Sequence, residues 1–160
     1  DAGKVLALTL GTGVGSGFVS DRQLVVDSPD VPANGWVYCL PFEDGIADEA
    51  FSTRWVVKRY RELTGLLVDG ARDVAERYDT DESARKLFSE YGARLAAFAG
   101  RVLKKFGGKT LVIGGNISRA YPLFAGPLDE GLRAIVPGAE VRVSELLDRS
   151  ALTGAASLFV

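Results

Sequence analysis

A glycine-rich turn near the start of the sequence has the composition of an anion-binding loop. Glycine alternates with other residues in the string GTGVGSG over residues 11–17, between two apolar runs. Glycine permits positive φ and close backbone approach, so such a turn can present several N–H groups to a phosphate, with the Thr12 and Ser16 hydroxyls as further donors. A hairpin turn that is simply rich in glycine explains the same string about equally well.

A second glycine pair directly follows a short apolar run later in the sequence. The string LVIGGNIS covers residues 111–118, and its β-branched residues predict a strand buried on both faces. Ligands bind at the carboxyl ends of strands in open α/β sheets, and the pair Gly114-Gly115 would let a flat ring lie against the backbone. Capping of the next helix by Asn116 or Ser118 is the structural alternative.

Two familiar phosphate motifs do not fit these strings. The dinucleotide fingerprint G-x-G-x-x-G would require glycine where Ser16 stands, and a helix where Phe18 and Val19 predict an extended chain. The string GKT at 108–110 resembles the end of a P-loop, but Leu103 occupies the leading glycine position and a strand follows. Neither string predicts a site of these two kinds.

The composition predicts a folded domain and excludes several classes of function. With 160 residues, of which 47% are hydrophobic and 25% charged, the chain is long enough to bury its own core. A formal charge of -2 provides no basic surface for nucleic acid, and no apolar run is long enough to cross a bilayer. The absence of histidine excludes serine-histidine hydrolase chemistry and most zinc enzymes. We therefore expect small molecules or proteins as partners, with no nucleic acid and no membrane.

The single cysteine, Cys39, cannot form an internal disulfide. Its neighbours Tyr38 and Leu40 predict a buried strand residue, which fits a reducing cytoplasm. Without a histidine to activate it, Cys39 is not expected to act as a nucleophile. The sequence opens a few residues before a strand pattern and without methionine, so we expect that another segment precedes it.

Apolar patterning predicts three early strands, followed by helices that alternate with two more strands. Strands are expected at Lys4 to Leu10, Gly17 to Val19, Gln23 to Val26, Thr110 to Ile113 and Glu140 to Val143, with a further short strand at Trp36 to Leu40 after the loop Ser28 to Gly35. Helices are expected at Ala47 to Thr64, Val68 to Tyr78, from a cap within Asp79 to Glu82 through Phe106, at Tyr121 to Ile135 and at Ala151 to Phe159. This order is typical of a ribonuclease-H-like lobe, an α/β fold with a mixed sheet flanked by helices.

Three strings, in this order, resemble the ROK family of repressors and sugar kinases. They are LALTLGTGVGSGFV near the start, DESARKLFSEYGARLAAFAGRVLKKFGGKTLVIGGNIS in the middle and ALTGAASL at the end, so the resemblance covers nearly the whole chain. It implies the carboxy-terminal, nucleotide-binding lobe of an ATP-dependent kinase of hexoses or N-acetylhexosamines. It also implies an actin-like ATPase fold, with magnesium carried on the nucleotide phosphates.

The resemblance implies roles for individual residues. They are Gly11, Thr12, Gly13 and Gly15 for the phosphates, Gly114, Gly115 and Asn116 for the adenosine, Asn34 and Glu49 for the sugar side, and Gly154 and Ala155 for contact between lobes. Family kinases carry their catalytic aspartate and first phosphate loop upstream of the turn, in regions that this sequence does not match. The resemblance therefore implies a lobe without a catalytic residue, inactive without an amino-terminal lobe.

The resemblance breaks down around residues 32–52. Many family members carry a Glu-x-Gly-His sugar motif and a cysteine-rich zinc loop there, whereas this chain reads PANGWVYCLPFEDGIADEAFS. With no histidine and one cysteine, a structural zinc site of that kind cannot form. The alternative to a kinase is the ligand-sensing lobe of a ROK-type repressor without catalysis. Apolar surface around Leu152 and Leu158 further predicts a homodimer or a partner chain.

Overall fold

The computed structural model describes residues 3–144, which form a five-stranded mixed sheet flanked by helices and a small separate hairpin. The strands are β1 (Val5–Leu10), β2 (Val14–Ser20), β3 (Gln23–Leu24), β4 (Pro41–Phe42), β5 (Gly45–Ile46), β6 (Thr110–Gly114) and β7 (Glu140–Val143). The predicted helix Ala151 to Phe159, which includes Leu152, Gly154, Ala155 and Leu158, lies outside the described residues.

The main sheet has the strand order β3-β2-β1-β6-β7, with β4 and β5 paired separately. β2 runs antiparallel to both β1 and β3, whereas β6 runs parallel to β1, and β7 runs parallel to β6. The predicted α/β class, a ribonuclease-H-like lobe with a mixed sheet flanked by helices, is confirmed. Because β1 and β6 are parallel neighbours, their carboxyl ends meet at the same edge of the sheet.

The helices are α1 (Ala47–Phe51), α2 (Thr53–Thr64), α3 (Ala71–Glu76), α4 (Glu82–Phe106) and α5 (Tyr121–Ile135), with 3₁₀ turns at Ala33–Gly35 and Asn116–Ala120. The ends of α4 follow from local chemistry. The Asp81 carboxylate accepts a hydrogen bond from the Ser83 N–H at 2.8 Å, and Gly107 ends the helix with a φ of +76°. The predicted bounds of the long helix and of α5 are confirmed.

The core lies between the sheet and the two long helices, α4 and α5. Leu6, Leu8 and Leu10 alternate along β1 and are at most 1% exposed, so they share one buried face. Phe18 pairs with Leu6 across the strands and meets the ring of Phe106 edge-on at 5.1 Å, which places the end of α4 on that face. An aromatic cluster continues the core between the helices, formed by Phe51, Tyr91, Phe98 and Phe124.

The predicted strand from Trp36 to Leu40 is wrong, because this segment is an irregular turn. The Ser16 hydroxyl donates to the Gly35 carbonyl at 2.6 Å and accepts from the Val37 N–H at 3.0 Å, so β2 holds this segment through a side chain instead of a backbone ladder. Cys39 is consequently exposed, not buried in a strand as predicted.

The predicted helix from Ala47 to Thr64 is divided into α1 and α2 by Ser52. Ser52 is extended, with φ and ψ of -83° and 167°. The next residue, Thr53, donates both its N–H and its hydroxyl to the Gly11 carbonyl, at 2.7 and 3.0 Å. This contact with the end of β1 interrupts the helix, and it cannot be anticipated from helical spacing. Two other predicted elements are shorter than expected, α3 and β3.

The close crossing of α4 and α5 depends on a glycine. A Cβ added at Gly92 would lie 2.5 Å from the Phe124 carbonyl oxygen and 3.2 Å from the Leu128 nitrogen, both backbone atoms. We expect Gly92→Ala to lower the free energy of unfolding by about 1–3 kcal/mol, because the two helices must separate. Urea denaturation would measure this loss.

Gly126→Ala, on α5, is the matched control. A Cβ at Gly126 would have no neighbour within 4 Å, so this change should stabilise the protein by about 0.5–1 kcal/mol through helix propensity. Equal effects of the two substitutions would contradict the packing role of Gly92.

Candidate functional site

The glycine turn at the carboxyl end of β1 exposes two backbone donors. Leu10 and Val14 are paired, which leaves Gly11, Thr12 and Gly13 as a three-residue turn. The Gly11 N–H donates to the Gly13 carbonyl at 3.1 Å. Within residues 3–144, no hydrogen bond engages the N–H groups of Thr12 and Gly13, and Thr12 is exposed. The turn can therefore offer two N–H groups and a hydroxyl to an anion.

Asp48, at the start of α1, fixes the far side of this turn. Its Oδ1 accepts from the Val14 N–H at 2.8 Å, and its Oδ2 pairs with Nη2 of Arg54 at 2.5 Å. A Cβ at Gly13 would lie 2.8 Å from Oδ1, so a larger residue there would displace the Asp48 carboxylate from the turn. Sequence reasoning missed Asp48 because it is 34 residues from its partner and belongs to no motif.

The second glycine segment packs directly against the end of β1. Gly114 pairs with Thr9, and Gly115 follows with a φ of +81°. A Cβ at Gly115 would lie only 2.5 Å from the Leu10 carbonyl oxygen, so the backbones touch where a side chain would not fit. A Cβ at Gly11 would lie 4.0 Å from the Asn116 nitrogen. The structure thus brings together the two segments that were predicted to hold phosphate and adenosine.

Neither Asn116 nor Ser118 caps α5, which was the structural alternative for these two residues. That helix begins at Tyr121, with Ala120 as its cap residue and no side-chain capping bond. The Ser118 hydroxyl instead donates to the Gly115 carbonyl at 2.7 Å, inside the preceding 3₁₀ turn. Ser118 therefore stabilises the turn, whereas Asn116 is exposed beside the glycine pair.

A groove of about 750 Å³ begins at Asn116 and lies between α3 and the 3₁₀ turn Asn116–Ala120. Its walls combine small or apolar residues, including Ala71, Ala75, Ile117, Ala120 and Leu123, with the charged residues Arg72, Glu76 and Arg119. Thr53 and Asn116 line its polar end, and Thr53 is bonded to Gly11 of the glycine turn. A volume of this size, apolar walls and a few polar groups are typical of small-molecule sites.

Asn34 and Glu49, both predicted for the sugar side, lie on different segments, and no hydrogen bond joins them in the described part of the chain. Asn34 is exposed on the first 3₁₀ turn, with a φ of +57°. The Glu49 carboxylate accepts from the Ile46 N–H at 3.3 Å and so stabilises the start of α1. A role for either residue toward a sugar stays a prediction.

The β4–β5 hairpin, which precedes α1, is held by Arg94 of α4. The guanidinium donates to both Glu43 oxygens, from Nε at 3.1 Å and from Nη2 at 2.6 Å. These bonds lower the pKa of the Glu43 carboxyl below its ordinary value. Arg94 also lies over the ring of Trp55, 4.5 Å from its centroid. The hydrogen bonds from Arg94 to Glu43 thus hold the hairpin that leads into α1, where Asp48 lies.

Residues 3–144 contain no group of three or more histidine, cysteine, aspartate or glutamate side chains arranged to hold a metal ion. Among the helices of this range, none combines the length and the apolar character required to span a membrane.

Comparison with known proteins identifies the fold through structure, not sequence. No protein-family model matches the sequence, and a search of curated proteins gives no match. Among solved structures, the chain is similar to a glucokinase from Parabacteroides distasonis, with 22% identity and a TM-score of 0.83 over 99% of this chain and 58% of that one. It is also similar to a ROK family glucokinase from Streptomyces griseus in complex with glucose and AMPPNP, with 23% identity and a TM-score of 0.79 over 98% of this chain and 60% of that one.

A third similar structure is a ROK family transcriptional regulator, a homologue of the E. coli MLC protein. Identity is 16% and the TM-score is 0.69, over 96% of this chain and 44% of the regulator. The fold is therefore that of ROK sugar kinases and glucokinases, and a regulator shares it. The chain spans about three fifths or less of the length of each of these solved chains.

Two substitutions of Asp48 should distinguish the contribution of its hydrogen bond with Val14 from that of its ion pair with Arg54. Asp48→Ala removes the acceptor for the Val14 N–H and should lower the free energy of unfolding by about 1–2 kcal/mol. Asp48→Asn keeps an oxygen acceptor and loses only the ion pair with the exposed Arg54, so it should cost less than about 1 kcal/mol. Urea denaturation would compare them, and equal losses would contradict the role of Asp48 in fixing the turn.

Proposed function

We propose that this chain is the ATP-binding, carboxy-terminal lobe of a larger ROK-type sugar kinase that phosphorylates a hexose or an N-acetylhexosamine. One observation carries the proposal: two glycine-rich segments lie side by side at the carboxyl ends of β1 and β6, where a groove begins. This edge of a sheet is the usual ligand position in α/β folds. The similarity in fold to a glucokinase in complex with glucose and AMPPNP supports it.

The glycine turn would bind the nucleotide phosphates. The N–H groups of Thr12 and Gly13 would supply two donors and the Thr12 hydroxyl a third, and Gly11 allows close approach. Gly15, also predicted for the phosphates, lies in β2 opposite Thr9, whose side chain occupies the space beside it. The Asp48 carboxylate beside the turn would repel phosphate if it were unpaired, but Arg54 neutralises it at 2.5 Å. Magnesium carried on the phosphates would offset the charge that develops during transfer.

The groove would hold the adenosine. Asn116, which directly follows the pair Gly114-Gly115, lines the groove and adds an exposed amide, whereas Gly114 is buried and Gly115 is half-buried. The walls from α3 and α5 offer small and apolar side chains, against which a flat purine ring can pack. Phosphate and base would then lie on two segments whose backbones touch at Gly115 and Leu10.

This assignment gives the chain binding and positioning, not proton transfer. In phosphoryl transfer, most of the catalytic effect comes from holding the reactants in line and stabilising charge. The base that accepts the proton of the sugar hydroxyl would belong to the larger kinase. The isolated lobe would therefore bind nucleotide without phosphorylating sugar.

A ligand-sensing lobe of a repressor is the second candidate, favoured by the fold similarity to a ROK family transcriptional regulator. The two candidates differ in turnover. With ATP, magnesium and a panel of hexoses and N-acetylhexosamines, a kinase releases ADP only when its sugar is present. A protein that binds one of these sugars but leaves ATP intact fits the repressor instead.

Ala71→Phe tests the adenosine groove. Ala71 lies in the wall of the groove, so a phenyl ring there should fill the space and weaken ATP binding by at least about tenfold, which corresponds to about 1.4 kcal/mol. Calorimetry with ATP and magnesium on the intact protein would measure the loss.

Ala134→Phe is its control, because Ala134 is exposed on α5 and does not line the groove. It should bind ATP as the wild type does, and circular dichroism should show both variants folded. The proposal fails if the intact wild-type protein does not bind ATP, or if folded Ala71→Phe binds it with unchanged affinity.

A further inference from the structure

Two aromatic side chains lie exposed side by side on the irregular segment that replaces the predicted fourth strand. Trp36 is 51% exposed and Tyr38 is 41% exposed, with their ring centroids 6.0 Å apart at an angle of 44°. Val37, between them, is fully buried. The backbone thus turns one side chain into the core and both aromatic rings outward.

This segment is rigidly attached to the sheet. The Ser16 hydroxyl of β2 accepts from the Val37 N–H and donates to the Gly35 carbonyl, so one side chain fixes the backbone on both sides of Trp36. A buried Val37 and two hydrogen bonds hold the backbone that carries the two rings in place before any ligand arrives. Such preorganisation lowers the entropic cost of binding.

The aromatic pair is linked to the glycine turn by two successive hydrogen bonds. The Tyr38 carbonyl accepts from the Asp48 N–H at 2.9 Å, and the Asp48 carboxylate accepts from the Val14 N–H at 2.8 Å. Val14 is the first residue after Gly13 of the turn. The backbone of the pair is therefore tied through Asp48 to the turn proposed to bind the phosphates.

We propose that Trp36 and Tyr38 form a stacking platform for the ring of the acceptor sugar. This inference rests on the proposed kinase function, and it names the residues that would contact the substrate. A pyranose ring has a face of C–H groups that packs against an aromatic face, while its hydroxyls project from the ring edge toward polar groups. The indole N–H and the phenol O–H at the rims of the rings can meet those hydroxyls.

The location favours a sugar over other occupants of an apolar surface. A phosphoryl acceptor must lie beside the last phosphate, and the Tyr38 backbone is joined to the turn by two successive hydrogen bonds through Asp48. Asn34, which is exposed two residues before Trp36, adds an amide to the same segment. The platform would thus recognise the shape of a ring through packing, with hydrogen bonds at its margin.

The test uses calorimetry on the intact protein with glucose, mannose, N-acetylglucosamine and N-acetylmannosamine, and separately with ATP and magnesium. Trp36→Ala and Tyr38→Ala should weaken binding of the accepted sugar by about tenfold, whereas Trp36→Phe, which keeps an aromatic face, should stay within about threefold. Leu67→Ala removes a 74% exposed apolar side chain from the loop after α2 and should change nothing. ATP affinity should be the same in all four variants.

Tryptophan emission provides a second measurement that does not depend on the alanine variants being folded. The sugar should shift the emission of the wild-type protein, and this shift should disappear in Trp36→Phe. Unchanged sugar affinity in folded Trp36→Ala, or a shift that persists in Trp36→Phe, would overturn the platform. So would binding of none of the four sugars.

Light scattering separates the platform from a protein interface. A smaller particle mass for Trp36→Ala than for the wild type would show that the rings pack against another chain, which would also overturn the proposal. If the wild-type protein does not bind ATP, the kinase proposal itself is rejected. If the protein binds ATP and its sugar affinity is the same in Trp36→Ala as in the wild type, only the platform is rejected.

Discussion

The Gly11 carbonyl group connects the sheet to the helices around the candidate site. It accepts two hydrogen bonds from Thr53, one from the N–H and one from the hydroxyl. Because Thr53 begins α2, these bonds fix the amino end of that helix against the end of β1. They also require the extended residue Ser52, which separates α2 from α1. The short helix α1 then returns Asp48 to Val14, so the turn is held on both sides.

Several elements could be predicted from the sequence because their signals are local. The long helix α4 has an aspartate cap and a terminal glycine, and α5 has apolar residues at helical spacing, so both were placed correctly. The order of strands and helices was sufficient for the fold class. The two glycine segments were identified because a glycine pair after a buried strand is visible in the string itself.

The errors and omissions arise from contacts between distant residues. The break at Ser52 depends on Gly11, which lies more than forty residues earlier, and the turn around Cys39 depends on the Ser16 hydroxyl. Asp48 was missed for the same reason. Within the candidate site, the sequence predicted which backbone segments take part, but the side chains that hold them in position became apparent only in three dimensions.

The hairpin before α1 is held by a charged side chain, whereas a cysteine-rich loop of the kind described above is held by zinc. Arg94 joins Glu43 through two hydrogen bonds and also lies over the Trp55 ring, so electrostatic and packing contributions act on one side chain. In a loop held by zinc, the cysteine thiolates can be oxidised and the zinc can be removed by chelators, whereas a guanidinium paired with a carboxylate is affected by neither. Salt would screen the bond to the exposed Glu43, but the contact with the Trp55 ring would remain, so the hairpin should keep its shape across a wide range of redox conditions and metal supply.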